Sequence, residues 1–391
     1  MPTVEERLAA LETKLAALTE TTPTTYYEHQ YSGEEIDNAV ARALPNGAID
    51  QAVGTFVRPN LLDNWYFGNP VDQKKGKIIQ SGVNIYTDST LKTLIGPAAY
   101  ACPVVELTST YAKVQDAKNT SSYYYAAPGD VVRGYTGAFV YTIDRWQIGD
   151  GSISLSVAAD GIVLKGGNNA NTDYTYTRVE RLPVGKYTFS VLFADNTANV
   201  VLATKLTDIS AIQAVESREA SGVLALTWDQ PEEFKSDNAY FRIHAPGSVK
   251  ILAAKLEIGP TQTLAHREGD RWVLNEEPEY GGQLRRCQRY HYRLKADSSY
   301  MRFGITQPYT DTSAGVFVQL MSTMRTKPVV SYGGNFALFD GSRFYPVTLA
   351  QDTTSAYNTV LKANGTGLPG SSAQLLANAD TNAYIDFSAD L

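Results

Sequence analysis

The sequence predicts a mainly β protein with a short helical N-terminus, and three observations carry that prediction. Between residues 60 and 391, short runs of alternating apolar and polar residues recur, each closed by Gly, Asn, Asp or Pro. The chain holds 25 Tyr and 30 Gly in 391 residues, a composition of strands and turns, and its 43% hydrophobic content is ample for real cores. Helical spacing is confined to residues 1–53 and to one segment near residue 280. A chain of this length is expected to hold roughly two to four domains.

Charge and cysteine usage narrow the class further. Only 19% of residues are charged and the net charge is −7, which argues against nucleic-acid binding by phosphate neutralisation. The two cysteines, Cys102 and Cys287, give neither a disulfide framework nor a CxxC metal site, and read as buried thiols of a protein made in a reducing cytosol. No apolar run approaches the ~20 residues that cross a bilayer, so no membrane insertion is expected. The N-terminus is too charged and too heptad-like for a signal peptide. The expected place of folding is therefore the cytoplasm, with exit by lysis or within a particle.

Residues 1–19 read as a coiled coil. Val4, Leu8, Leu11, Leu15 and Leu18 fall on a d-a-d-a-d seam, with Arg7 and Lys14 at g and Glu5 and Glu12 at e, so Arg7 can pair with Glu12 of a neighbouring chain. Leu at both a and d leaves the oligomer number open, and so short a seam needs support from later parts. The bland alternative is an amphipathic helix packed on its own domain. TETTPTT then breaks the helix, and residues 20–59 carry two short helices. Ser32 and Glu35 form a capping box, Ile36, Val40 and Leu44 share a face, and Pro45-Asn46-Gly47 is the stop. IDNAV at 36–40 returns as IDQAV at 49–53. These helices fit an attachment collar, or an ordinary helical hairpin.

Residues 60–275 read as a β-sandwich. In 182–195, Tyr187, Phe189 and Val191 face one way while Thr188, Ser190 and Leu192 face the other; in 251–256, Ile251, Ala253 and Lys255 alternate with Leu252, Ala254 and Leu256. The stretch 77–134 adds several short strands, expected to form an inserted β-subdomain carried on loops at one end of the sandwich. Residues 276–298 form a linker whose acidic EEPE segment and Pro278 start a helix, with Tyr280, Leu284, Cys287 and His291 on one face. Residues 299–391 are a terminal β-sandwich or barrel, with turns at Gly333-Gly334 and Asp340-Gly341. The last strand alternates Tyr384, Asp386 and Ser388 with Ile385, Phe387 and Ala389, which suits a closed or edge-paired sheet.

Several of these pieces carry a family resemblance. KLEIG (255–259), TLAH (263–266) and RRCQRYHY (285–292), with Asn60–Gln73 (NLLDN…NPV…Q), Asp144-Arg145-Trp146 and the strand, Met-Arg-Thr, Lys-Pro, strand pattern at Val316–Tyr332, resemble the tail-fibre and receptor-binding proteins of phages and prophages of Gram-positive gut bacteria. The resemblance implies that 60–275 is a carbohydrate-binding-like jelly roll and 299–391 a distal head. It also implies an elongated homotrimer in the virion tail, joined through its N-terminus to other tail or baseplate proteins and adhering to a bacterial surface polysaccharide. Two other readings stay open: a depolymerase that degrades a cell-surface glycan, and a purely structural tail, neck or baseplate fibre.

No catalytic, cofactor or metal signature is present. The four histidines, His29, His244, His266 and His291, lack metal-ligand spacing, and His244 reads as a solvent-facing or stacked side chain on an alternating strand. GxSxG is absent, and Gly166-Gly167-Asn168-Asn169 reads as a turn without the Lys of a phosphate loop. Glycoside cleavage needs two carboxylates across a cleft, which can be distant in sequence. The cluster Glu276, Glu277 and Glu279 reads instead as helix-capping charge. For binding, Tyr123 and Tyr125 lie on one side of a tyrosine-rich strand, available either to a sugar face or to the packing of their own subdomain. Trp65, Trp146 and Trp228 read as core. In the terminal domain Tyr309, Asn335, Arg343 and Tyr345 lie near turns or strand ends and are candidate ligand contacts.

Overall fold

The computed structural model describes residues 58–390, apart from 150–152, 168–172, 198, 206–212, 235–239 and 277–278. The predicted coiled-coil seam and the helices of 20–57 lie outside the described residues. Val57–Leu391 forms one compact unit. Among its described residues the structure is mainly β, a sandwich of sheets followed by a small closed barrel, with one α-helix.

The alternation in 182–195 sets the centre of the sandwich. Tyr187, Phe189 and Val191 enter the main core, and their strand, Gly185–Ala194, lies between Gly222–Gln230 and Ser248–Ile258, antiparallel to both. The other face of the strand is covered too. Thr188 and Ser190 are fully buried, and Lys255, opposite Ser190, is neutralised there by Glu276. Glu276 is thus an ion-pair partner, while Glu279 caps the helix by accepting from the Gly282 amide. Glu277 lies outside the described residues.

The larger sheet continues from Ser248–Ile258 through Ile162–Lys165 and Ser154–Val157 to Val131–Thr136, and from there into the strands of 77–126. The inserted segment is therefore an edge-on extension of the sandwich sheet. The expectation that it rides on loops gives way because Val131–Thr136 pairs with Lys77–Ile79 on one side and Ser154–Val157 on the other. It keeps a small core of its own around Ile79, Ile85, Cys102, Val114 and Ala126. The opposing sheet has the order Gln213–Ser217, Val200–Lys205, Tyr240–His244, Tyr174–Arg178, Trp146–Ile148. Trp65, Trp146 and Trp228 are core residues, as read from the sequence, and both cysteines are buried free thiols.

The opening residues run beside the strand Ser248–Ile258: Leu61 and Phe67 amides donate to the Leu256 and Leu252 carbonyls. Asn64 accepts from the Val71 amide and donates to the Val71 and Asp144 carbonyls. The helix spans Tyr280–Gln288, and Cys287 is its one fully buried side chain. His291 is not on that helix. It begins a strand, His291–Lys295, that pairs with Tyr384–Ser388. The closing strand is flanked on its other side by Val329–Gly333, so it is neither an edge nor part of the barrel. The closed barrel runs Arg302–Pro308, Ser313–Gln319, Asn358–Asn364, Phe344–Thr354, Phe336–Phe339, Ala373–Ala377.

Candidate functional site

The outer face of the smaller sheet follows from two alternating segments, YTYTR and YFRIH. Phe241 and Ile243 point into the core, where Phe241 meets Phe189 and Trp228, so Tyr240, Arg242 and His244 face the opposite way. On the neighbouring strand Tyr174, Tyr176 and Arg178 share that outer side, in register with His244, Arg242 and Tyr240. The result is an interleaved layer of rings and guanidiniums. Arg242 lies 4.2 Å from the Tyr174 ring centre and 5.6 Å from that of Tyr240, while Arg178 lies 4.6 Å from Tyr240 and 5.5 Å from Tyr176. Tyr174 and Tyr176 are 5.5 Å apart, and the Tyr176 hydroxyl donates to Gln147. His244 is buried here rather than solvent-facing, its Nδ1 against the Asp173 carbonyl.

A second aromatic row lies on the extended part of the larger sheet. Tyr123–Ala126 pairs with Ala112–Gln115, which places Tyr123 opposite Gln115 and Tyr125 opposite Lys113. Tyr124 packs on the small inner core, so Tyr123 and Tyr125 share the outward side. Tyr123 is 44% exposed, with Lys113 Nζ 4.7 Å from its ring centre. Tyr111 meets Tyr125 edge-on at 5.4 Å and donates its hydroxyl to Glu106 at 2.6 Å.

The four terminal-domain candidates do not converge. Asp340 accepts from the Ser342 and Arg343 amides and from the Tyr345 hydroxyl, each at 2.8 Å, which holds its carboxyl well below the usual range. Arg343 stacks on Tyr345, and the strand register places Tyr309 at the same end of the barrel. Asn335 directly precedes the strand Phe336–Phe339 and so sits at the other end, tied to Asp380. Close to the Asp340 turn, Phe344 stacks on Phe339 at 4.7 Å and meets Tyr300 at 5.2 Å, an exposed aromatic cluster that sequence reasoning missed.

Charges concentrate where the sandwich meets the terminal strands. Gln73 bridges Asp144 to the His291 carbonyl and accepts from the Arg293 amide. His291 lies 3.7 Å from Asp144 and 3.2 Å from Asp386, and Arg293 makes a two-pronged pair with Asp386. Burial alone would push the His291 pKa down. The two carboxylates outweigh it and raise it to about 9. Burial likewise opposes the charge on Asp386, but His291 and Arg293 bring its carboxyl down to about 2. Beside this clamp is a cleft of about 390 Å³. Arg145 lies against the Tyr290 ring there at 3.5 Å, between Asp63 and Asp390. Its φ of 70° is unusual for a residue other than glycine, and it lies in the turn that the Trp146 amide closes by donating to the Ile143 carbonyl.

No family model and no curated protein matches the sequence. Similar solved structures include the CBM1 module of BiXyn10A without ligand (7% identity, 28% of this chain and 82% of that chain, TM-score 0.23). The CBM22-1–CBM22-2 tandem domain of Paenibacillus barcinonensis Xyn10C is similar at 9% identity, covering 63% of this chain and 93% of that chain, with a TM-score of 0.24. Discoidin II of Dictyostelium discoideum is similar at 10% identity, covering 56% of this chain and 77% of that chain, with a TM-score of 0.15. Identities and scores this low leave the functional reading to the chain's own residues.

Proposed function

We propose that this protein is a non-cleaving adhesin, a phage tail-fibre or receptor-binding protein that holds a bacterial surface polysaccharide. The observation that carries the reading is the outward row of Tyr123, Tyr125 and Tyr111 on an open sheet. Flat ring faces suit the C–H surface of a sugar, and Lys113, Gln115 and Glu106 beside them offer donors and acceptors for its hydroxyls. An open strip accepts a polymer along its length, where a closed pocket would take only an end. Weak contacts of this kind become firm when several copies act together, which is the role assigned to the heptads of residues 1–19 and to the homotrimer they would support. In this reading the N-terminal segment also joins the chain to other tail or baseplate proteins.

The test is retention of the full chain on purified envelope glycans of candidate host bacteria, with the supernatant assayed for released sugars. Retention without release, lost in a Tyr123→Ala/Tyr125→Ala variant, is the expected result. Released oligosaccharides would replace adhesion by depolymerisation. Retention unchanged by the double variant would move the contact away from the strip. Absence of both retention and release across hosts would leave a structural fibre.

A further inference from the structure

Arg242 is not accounted for by ordinary packing. Its side chain is 8% exposed and held between the rings of Tyr174 and Tyr240, and no described carboxylate pairs with it. Its Nε is enclosed without a hydrogen-bond partner. The residue keeps that small remainder of its surface exposed to solvent. Ring faces offset part of a buried positive charge, but they offer no oxygen to its fork of N–H donors. That fork matches the planar oxygens of a carboxylate or phosphate. A second guanidinium stands next to it: Arg178 lies over Tyr240 and donates to the Tyr240 hydroxyl at 3.2 Å. Among the described strand residues, the one carboxylate whose register puts it on this face is the exposed Glu216, on the far edge strand.

We infer that the Tyr174–Arg242–Tyr240 stack is a binding site for an anionic oxygen group carried by a glycan, a uronic-acid carboxylate or a phosphodiester. The inference rests on the glycan-binding reading and adds to it the charge of the ligand and a second place of contact. The protein as a whole carries a charge of −7, so an acidic polymer meets net repulsion unless a local cationic pair receives it. Tyr174 and Tyr240 hold the guanidinium plane in place before the ligand arrives, which lowers the ordering cost of binding. Neutral sugars gain nothing from this stack.

Calorimetric titration of the full chain with three probes decides the matter: a polyglucuronate hexasaccharide, a glycerol-phosphate oligomer and a neutral xylohexaose. At least one acidic probe is expected to bind more tightly than xylohexaose, and Arg242→Met is expected to weaken it by about tenfold or more while leaving xylohexaose unchanged. The two acidic probes distinguish carboxylate from phosphate. Equal affinity for all three probes, or an acidic probe unaffected by Arg242→Met, overturns the inference while leaving the adhesin reading in place. Binding of no probe, together with no retention on whole envelope glycans, overturns both. Should Arg242→Met fold poorly, the salt dependence of the unsubstituted chain reads the same point: affinity for the acidic probe must fall with ionic strength, and an unchanged affinity overturns the proposal.

Discussion

Two regions of this molecule bury arginine, and they balance its charge in opposite ways. At the joint between sandwich and terminal strands, Arg293 forks onto Asp386, Arg145 lies between Asp63 and Asp390, and His291 faces two carboxylates. On the outer face of the smaller sheet, Arg242 is met by the rings of Tyr174 and Tyr240 and by no carboxylate among the described residues. A buried ion with a complete set of partners acts as a clamp, since removing one partner strands the others. A buried ion without an anion adds little to the fold, and its free hydrogen-bonding capacity is available to a ligand. The same residue type is structural in one place and receptive in the other because of what lies within about 4 Å.

The largest effect expected from this contrast is at Asp386. Asp386→Ala leaves Arg293 and His291 without their shared anion, and a loss of about 3–5 kcal/mol in urea denaturation is expected. A loss below about 1 kcal/mol would mean that solvent already screens the cluster.

A pH titration of stability follows from the same clamp. The His291 pKa is raised from 6.5 to about 9, so its contribution is complete below 6.5 and is lost as the pH rises through about 9. The Asp386 pKa is lowered from 3.8 to about 2, so its contribution is present above 3.8 and is lost as the pH falls through about 2. The clamp is therefore firmest between 3.8 and 6.5. Denaturation midpoints taken from pH 5 to 9.5 should decline toward the alkaline end, and His291→Gln should flatten that decline. A decline of unchanged steepness in the variant would assign it to other groups.

Arg242→Met is the counterpart on the other side of the comparison. Removing an arginine that has no anion among the described residues trades cation–π contacts for relief of desolvation, so stability should stay within about 1 kcal/mol of the unsubstituted chain. The equivalent Arg293→Met should lose several times more, measured in the same denaturation series. If the two variants were equally damaging, Arg242 would be part of the frame and the contrast would fail.

The sequence shows the fold more clearly than it shows the sites. Tyr187, Phe189 and Val191 announce their strand because a period of two survives without knowledge of its neighbours. Trp65, Trp146 and Trp228 are read as core because each lies beside strand-like apolar positions, which is also local information. His291 is misplaced onto the helix because the change from a 3.6 period to a period of two falls within RRCQRYHY, and only pairing with Tyr384–Ser388 fixes where it occurs. Loop attachment of 77–134 is likewise a matter of long-range pairing. The Tyr–Arg layer was half visible: YTYTR and YFRIH alternate plainly, but their adjacency depends on the register of strands more than sixty residues apart. Of the terminal-domain candidates, Arg343 and Tyr345 are drawn together by one turn, while Asn335 is set apart by the length of a strand.

The smallest expected effect belongs to the tyrosine row itself. Tyr123 is 44% exposed and its phenol has no hydrogen bond to a described residue, so Tyr123→Ala removes only surface packing and the contact with Lys113. A change of stability within about 0.5 kcal/mol is expected from urea denaturation, as for surface substitutions generally. Tyr124→Ala, one residue on, empties part of the small core around Val114 and Ile85 and should cost well above that. Adjacent positions on one strand would then divide cleanly into a side that holds the sheet together and a side whose loss is felt only in glycan retention. Comparable destabilisation at both would return Tyr123 to the packing of its own subdomain and remove the main support for the strip as a contact surface.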